Sequence, residues 1–265
     1  MTIPPTFPAD DHAIDQAAVL SALRARVARM EGGGATRPED SIEVCAGMPG
    51  MARAALHEVL ATEPGCGAAF AAMVLGRTAG TVLWIGSARA EWQAWPPGLA
   101  AWGLTPARLV LLRAERWKDA LWAMEEALRC PAVGGALLVP AQGEGWAERA
   151  PLDLTATRRL QLAAEAGGAL GMILQADASV GLGGNQGGDQ RVNQGLNQGG
   201  NQGQTAAHTR WRVSPAEGDE PHWWLELLRM RGGRPREAMA VAWQAASGRL
   251  EPLEGAMATP RRARR

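Results

Sequence analysis

Residues 54 to 76 decide the fold: Ala-Ala-Leu-His-Glu-Val-Leu (54 to 60), Ala-Thr-Glu-Pro-Gly-Cys-Gly (61 to 67) and Ala-Ala-Phe-Ala-Ala-Met-Val-Leu-Gly (68 to 76). The first block is short and largely apolar, as a strand buried on both faces must be. The second carries the proline and glycines of a turn, and the third reads as a small-residue helix stopped by Gly76. A buried strand that feeds a helix through a turn is the opening unit of an α/β sheet.

The same grammar repeats outward from it. Thr81 to Ile85, Leu109 to Leu112, Ala136 to Val139 and Leu170 to Leu174 are apolar runs of strand length. Between them fall helical stretches at Pro97 to Gly103, Lys118 to Cys130 (ended by Pro131) and Ala156 to Ala166 (ended by Gly167 and Gly168). Alternating strands and helices predict crossover connections, hence a mainly parallel sheet with helices on both faces. Past residue 205 the pattern changes. Thr209 to Val213, Trp223 to Arg231 and Ala238 to Trp243, around turns at Glu217 to Asp219 and Gly232 to Gly233, predict antiparallel strands that extend the sheet.

Three segments stand apart from this core, which is expected over 41–250. Residues 1–40 combine a proline-bearing leader with an amphipathic helix, in which Leu20, Leu23, Val27 and Met30 recur at spacings of three and four. Residues 181–205 repeat an Asn-Gln or Asp-Gln pair every four residues, at 185, 189, 193, 197 and 201, separated mostly by glycine. Such a tract has little to bury and is expected to be a flexible loop. Residues 251–265 end in a basic tail, Arg261, Arg262, Arg264 and Arg265, expected to be disordered.

Composition limits the functions open to the chain. The 265 residues, 46% hydrophobic and 20% charged, are those of a globular protein able to bury a core. Arg outnumbers Lys 26 to 1 and the chain has 11 Trp, no Tyr and 2 Phe, a bias that reads as GC-rich coding rather than as a base-stacking surface. The formal net charge is zero, so the whole-molecule field does not draw the chain onto a phosphate backbone. Residues 205 to 265 nevertheless hold 11 Arg against 7 acids, which allows a local basic face. Cys45, Cys66 and Cys130 are too far apart for a disulfide framework or a Cys-x-x-Cys metal site, and His12, His57, His208 and His222 have no zinc spacing. With neither a signal peptide nor an apolar run of membrane length, a cytoplasmic protein without membrane contact, metal or cofactor is expected.

Several blocks resemble the ImuA family of bacterial DNA-damage-induced mutagenesis, also described as RecA-like or SulA-like. They are Ala-Leu-His-Glu-Val (55 to 59), Val-Leu-Trp-Ile (82 to 85), Pro-Gly-Leu-Ala-Ala-Trp-Gly-Leu-Thr-Pro-Ala-Arg-Leu (97 to 109) and Asp-Ala-Leu-Trp-Ala-Met-Glu-Glu-Ala-Leu-Arg-Cys (119 to 130). Leu-Asp-Leu-Thr-Ala-Thr-Arg-Arg-Leu (152 to 160), Thr-Arg-Trp-Arg-Val (209 to 213) and Leu-Leu-Arg-Met-Arg-Gly-Gly-Arg-Pro (227 to 235) follow in order. The Asn-Gln-Gly repeat departs from the family. The resemblance implies an α/β fold with a RecA-like, P-loop-type core and C-terminal antiparallel strands. It also implies an adaptor role in SOS mutagenic translesion synthesis, with ImuB and RecA as partners and an error-prone replicative-type DNA polymerase reached indirectly. Two other readings are a SulA-type inhibitor of cell division and an ATP-dependent DNA-binding protein.

A P-loop needs a lysine on the β and γ phosphates and a Ser or Thr hydroxyl on magnesium. The single lysine is Lys118, far from the first turn. Pro64, Gly65, Cys66, Gly67 and Ala68 form the degenerate loop: Gly67 or its neighbour stands where lysine belongs, and Ala68 or Ala69 where the hydroxyl belongs. After the second strand, Gly86-Ser87-Ala88 lacks the acid that polarises water, although Glu91 is near, and Pro140 replaces the acid after the fourth strand. Gln175 alone matches a γ-phosphate sensor. No catalytic residue is assigned and a noncatalytic protein is expected, with weak nucleotide binding at the glycine turn still open. For contacts with a partner or DNA the sequence offers the helix with Leu20, Leu23 and Val27, and the group Trp211, Arg212, Arg229, Arg231 and Arg234, with Arg236 beside it. Arg229 and Arg231 are expected on one strand face, with Trp223 or Trp224 as an apolar anchor.

Overall fold

A computed structural model describes residues 40–88, 94–140, 152–177, 205–217 and 221–253. The chain divides after Thr36, and every described residue belongs to the second unit, Arg37–Arg265. The expected amphipathic helix with Leu20, Leu23 and Val27, the Asn-Gln repeat, Glu91 and the basic tail lie outside the described residues.

A two-stranded antiparallel ribbon, β1 (Ser41–Ile42) and β2 (Met51–Ala52), precedes the main sheet. The sheet holds β3 (Ala55–Ala61), β4 (Thr81–Ser87), β5 (Leu109–Ala114), β6 (Val133–Leu138), β7 (Leu170–Ala176), β8 (Thr209–Pro215), β9 (His222–Met230), β10 (Arg236–Gln244) and β11 (Arg249–Pro252). Its order is β11-β10-β9-β8-β3-β7-β6-β4-β5. Strands β5, β4, β6, β7, β3 and β8 run parallel, and β9, β10 and β11 continue antiparallel from β8. Strand β3 lies between β7 and β8, with Val59 opposite both Leu174 and Trp211. A central parallel strand is covered on both faces, which is why its sequence is nearly continuous in apolar residues.

The crossovers are α1 (Pro64–Leu75), α2 (Pro96–Ala101), α3 (Trp117–Arg129) and α4 (Leu154–Gly167). Helices α1 and α2 cover one face, burying Phe70 and Leu75 with Val59, Trp84, Trp211 and Leu225; α3 and α4 cover the other, burying Met124, Leu128 and Leu160 with Leu56, Ile85 and Ile173. The neighbours Trp84 and Ile85 thus go to opposite cores, as the period of two in a strand requires. In α3 the residues Trp117, Ala120, Met124, Ala127 and Leu128 recur at helical spacing and are all buried. Asp153 caps α4, its carboxylate accepting from Ala156 N at 2.7 Å, and Gly168 ends that helix in the left-handed region at φ 82°.

Arg108 fixes the approach to β5. Its guanidinium donates from Nη1 to the Gly76 carbonyl at 2.9 Å, from Nε to the Gly80 carbonyl at 2.8 Å and from Nη2 to the Thr78 carbonyl. These carbonyls follow α1, so one side chain satisfies the helix end and ties it to the far strand of the sheet.

Two expectations are corrected here. Residues 61 to 67 are not a turn: β3 runs to Ala61 and α1 starts at Pro64, leaving only Thr62 and Glu63 between them. Proline is pre-set for the first helical position and loses no needed hydrogen bond there, while Gly67 lets the helix lie against the sheet. A Cβ on Gly67 would come within 2.4 Å of Leu174 Cδ1 and 2.7 Å of Ala61 Cβ. In addition, β9 ends at Met230, so Arg231 lies past the strand that was to present it beside Arg229.

Candidate functional site

In an open α/β sheet a ligand is bound beyond the carboxyl ends of the parallel strands. Here that place is formed by the ends of β3, β7 and β8 with the start of α1, and backbone and side chains close it. Thr62 N donates to Val213 O at 3.0 Å and Asp177 N donates to Ala61 O at 2.9 Å, so the three strands stay stitched together past their last residues. Arg212, on β8, links the end of β7 to β9. Its Nε donates to Asp177 Oδ2 and its Nη1 to Glu226 Oε2, both at 2.6 Å. Burial works against the guanidinium charge, but these two carboxylates outweigh it and hold the Arg212 pKa above its ordinary value.

The start of α1 offers little to a phosphate. An anion site at a helix N-terminus depends on free N–H groups and a positive end. Pro64 has no N–H, Glu63 sits at the cap position without a side-chain capping bond, and Gly67 N is already bonded to Glu63 O at 3.3 Å. Asp177 and Glu226 pair with Arg212, and Glu63 adds a further acid at the start of α1, the opposite of what a polyphosphate requires. The Cys66 thiol is pushed up to about 11 by burial, with the charge of Glu63 adding to the effect, so it stays protonated at neutral pH. The residues Pro64, Gly65, Cys66, Gly67 and Ala68 are therefore the first turns of a helix packed on the sheet and not a phosphate-cradling loop. Lys118 opens α3, on the face opposite α1.

The C-terminal group proposed for contacts separates into inward and outward members. Trp211 is fully buried in the α1-side core, and its Nε1 donates to Thr209 Oγ1 at 2.8 Å. Period-two alternation along β8 places Arg210 and Arg212 on the other face, where Arg210 Nε pairs with Glu58 Oε2 at 2.7 Å. Arg229 is internal as well: it donates to Thr205 O at 3.0 Å and to Thr205 Oγ1 and Ala207 O at 2.9 Å. Trp211 thus belongs to the core, and the half-buried Arg212 and Arg229 are each bonded to partners inside the fold. Trp223 is corrected likewise, being buried edge-on against Trp102 at 5.3 Å, whereas Trp224 stays half-buried. Arg234 and Arg236 are exposed and rim a shallow depression with Pro49, Met230 and Pro235, and Arg231 is partly exposed beside them.

Two features escaped sequence reading. One is the Arg212–Asp177–Glu226 bridge, for which Asp177 after the fifth strand gave no motif. The other is a hydrogen-bonded chain behind β3: Trp211 to Thr209 to His57 Nδ1 at 2.7 Å, then His57 Nε2 to Ala52 O at 2.8 Å. Only the alternation of polar and apolar residues in β8 hinted at it. Among the described residues no cluster of three or more His, Cys, Asp or Glu is placed to hold a metal, and no helix is long and apolar enough to cross a membrane.

No family model matches the chain. The fold is similar to that in the crystal structure of the RadB recombinase, with a TM-score of 0.54 at 12% identity, covering 77% of this chain and 93% of that one. The order of strands, helices on both faces and antiparallel C-terminal strands make this an α/β, RecA-like core. Among curated proteins it is similar to Protein ImuA from two strains of Caulobacter vibrioides, NA1000 / CB15N and ATCC 19089 / CIP 103742 / CB 15. Each is 34% identical over 228 residues, covering 79% of this chain and 84% of the relative. The chain belongs to the ImuA family.

Proposed function

We propose that this chain is a noncatalytic, cytoplasmic adaptor of the DNA-damage-induced mutagenic translesion complex, and that it docks the polymerase-like protein ImuB and RecA. The observation that carries the reading is the closed nucleotide end of the sheet. A two-residue link joins β3 to α1, Pro64 to Ala69 include neither a lysine nor a hydroxyl, and Arg212 is bonded to the carboxylates of Asp177 and Glu226. Phosphoryl transfer depends almost wholly on positioning and electrostatics, and these residues supply neither. What such a core retains is its outer surface. The rim of Arg231, Arg234 and Arg236 suits an acidic segment of a partner.

The test is a pull-down of the purified chain against ImuB and RecA of the same organism, with and without ATP. It is paired with a variant carrying Arg231→Ala, Arg234→Ala and Arg236→Ala. Binding that ignores ATP and weakens several-fold in the variant is expected. Binding to neither partner, or steady ATP hydrolysis by the purified chain, sinks the reading.

A further inference from the structure

Arg108, Arg210, Arg212 and Arg249 are each taken up by the fold: three carbonyls bond Arg108, Glu58 pairs with Arg210, Asp177 and Glu226 with Arg212, and Glu43 with Arg249. The hairpin between β9 and β10 is different. Residues 230–239, Met-Arg-Gly-Gly-Arg-Pro-Arg-Glu-Ala-Met, hold three arginines against one acid, Glu237. Among the described residues no side chain or carbonyl bonds the guanidinium of Arg231, Arg234 or Arg236, and Arg234 and Arg236 are exposed. The ground between these charges is apolar. Arg234 and Arg236 line a depression of about 450 Å³ with Pro49, Met230, Gly233 and Pro235. Met230 is partly buried and packs on the α1-side core, and Gly233 lies close on it, a Cβ there coming within 2.7 Å of Met230 Sδ.

We infer that this depression docks an acidic segment of a partner protein in which an apolar side chain stands among two or more carboxylates. The apolar side chain seats on Met230, Pro49 and Pro235, and the carboxylates take the guanidinium groups of Arg231, Arg234 and Arg236. The inference rests on the adaptor reading and adds to it the chemistry of the docked segment. The unbalanced charge selects an acidic occupant, since each guanidinium offers a planar fork of donors to a carboxylate and no described group of the fold competes for it. A second copy of the same hairpin is disfavoured, because arginines would face arginines. The floor selects a peptide over a nucleic acid. The lining includes no aromatic ring on which a base could stack, and a phosphate backbone gains nothing from methionine and proline, whereas a thioether adapts to the apolar side chains of a peptide.

Fluorescence anisotropy on the full chain tests the inference with three labelled probes: the peptide Gly-Asp-Glu-Leu-Asp-Glu-Gly, the same peptide with Ser for Leu, and oligothymidylate. The leucine peptide is expected to bind saturably and more tightly than the serine peptide. The combined variant Arg231→Ala, Arg234→Ala, Arg236→Ala is expected to weaken it on the order of tenfold, and Arg158→Ala, exposed on α4, to leave it unchanged. The combined variant Arg231→Glu, Arg234→Glu, Arg236→Glu is expected to bind instead the peptide with Lys for each acid, which a merely misfolded chain does not do. Equal affinity for the leucine and serine peptides, tighter binding of oligothymidylate through the same arginines, or no saturable binding overturns the inference. The pull-down of ImuB and RecA separates it from the adaptor reading. Capture that persists undiminished in the triple Ala variant overturns this docking site and leaves the adaptor standing. Peptide binding by a wild type that captures neither protein supports the docking site and removes the adaptor reading.

Discussion

His57 shows how one buried polar residue can make a fold pH-dependent. It is fully buried and both ring nitrogens are used, with Ala52 O accepting from Nε2–H. A neutral ring that donates from Nε2 has Nδ1 unprotonated, so Thr209 Oγ1, which accepts from Trp211 Nε1, donates to Nδ1. Burial, opposed in part by the Ala52 bond and reinforced by His208, lowers its pKa to about 4. A folded pKa below the unfolded value means that the unfolded chain binds the proton first, so stability is intact above about pH 6.5 and lost as pH falls toward 4. At about 1.4 kcal/mol per unit the loss is on the order of 3 kcal/mol. His208 is shifted in the same direction, by burial and by Arg231 and Arg229, and steepens the slope. Urea unfolding at stepped pH is expected to show this decline in the wild type and a clearly flatter one in His57→Gln. Parallel slopes for the two proteins would show that His57 does not carry the effect.

Among elements, the segment that re-enters the sheet at β8 depends on Arg229. Thr205 and Ala207 accept from its guanidinium, Ala206 N donates to Thr157 Oγ1 at 3.1 Å and His208 N to Leu56 O at 2.6 Å. Arg229→Ala removes the donors from these acceptors and is expected to destabilise the chain by about 1 to 3 kcal/mol. Arg234→Ala, at an exposed position, should stay within about 0.5 kcal/mol. Equal midpoints for the two in urea would mean that Arg229 is no clamp. The sequence marked both arginines as surface candidates because charge alone does not say what lies across the strand. It was more informative about elements with a long period: α3 and α4 were placed within two residues because five or more buried positions recur in each. It missed β1, β2 and β11, which at two to four residues show no period, and it began α1 late because Pro64, Gly65 and Gly67 are turn residues by local preference. Pro64 is pre-set for the first helical position, and Gly67 lies close against Leu174, far off in the sequence, which no local window shows.

For the whole molecule, the central question is whether the end of the sheet beside α1 has room for a nucleotide. The absence of lysine was legible in the sequence; the absence of room was not. Gly67 stands where the lysine would be, yet even a Cβ there meets Leu174 Cδ1 and the less yielding Ala61 Cβ, because a two-residue link sets α1 directly on β3 and β7. Gly67→Lys is therefore expected to lower stability by about 1 to 3 kcal/mol, the usual cost of overpacking a core, and not to gain nucleotide binding. Thermal melts with and without magnesium ATP check this directly, since a ligand that binds only the folded state raises the midpoint in proportion to its saturation. No ATP-dependent shift is expected for either protein. A shift in the wild type would mean that the carboxylates around Arg212 do not repel a polyphosphate, whereas a shift confined to Gly67→Lys would mean that α1 can move away from β3. Without either shift, the site has been closed by the packing that positions α1, and no single substitution at the lysine position reopens it.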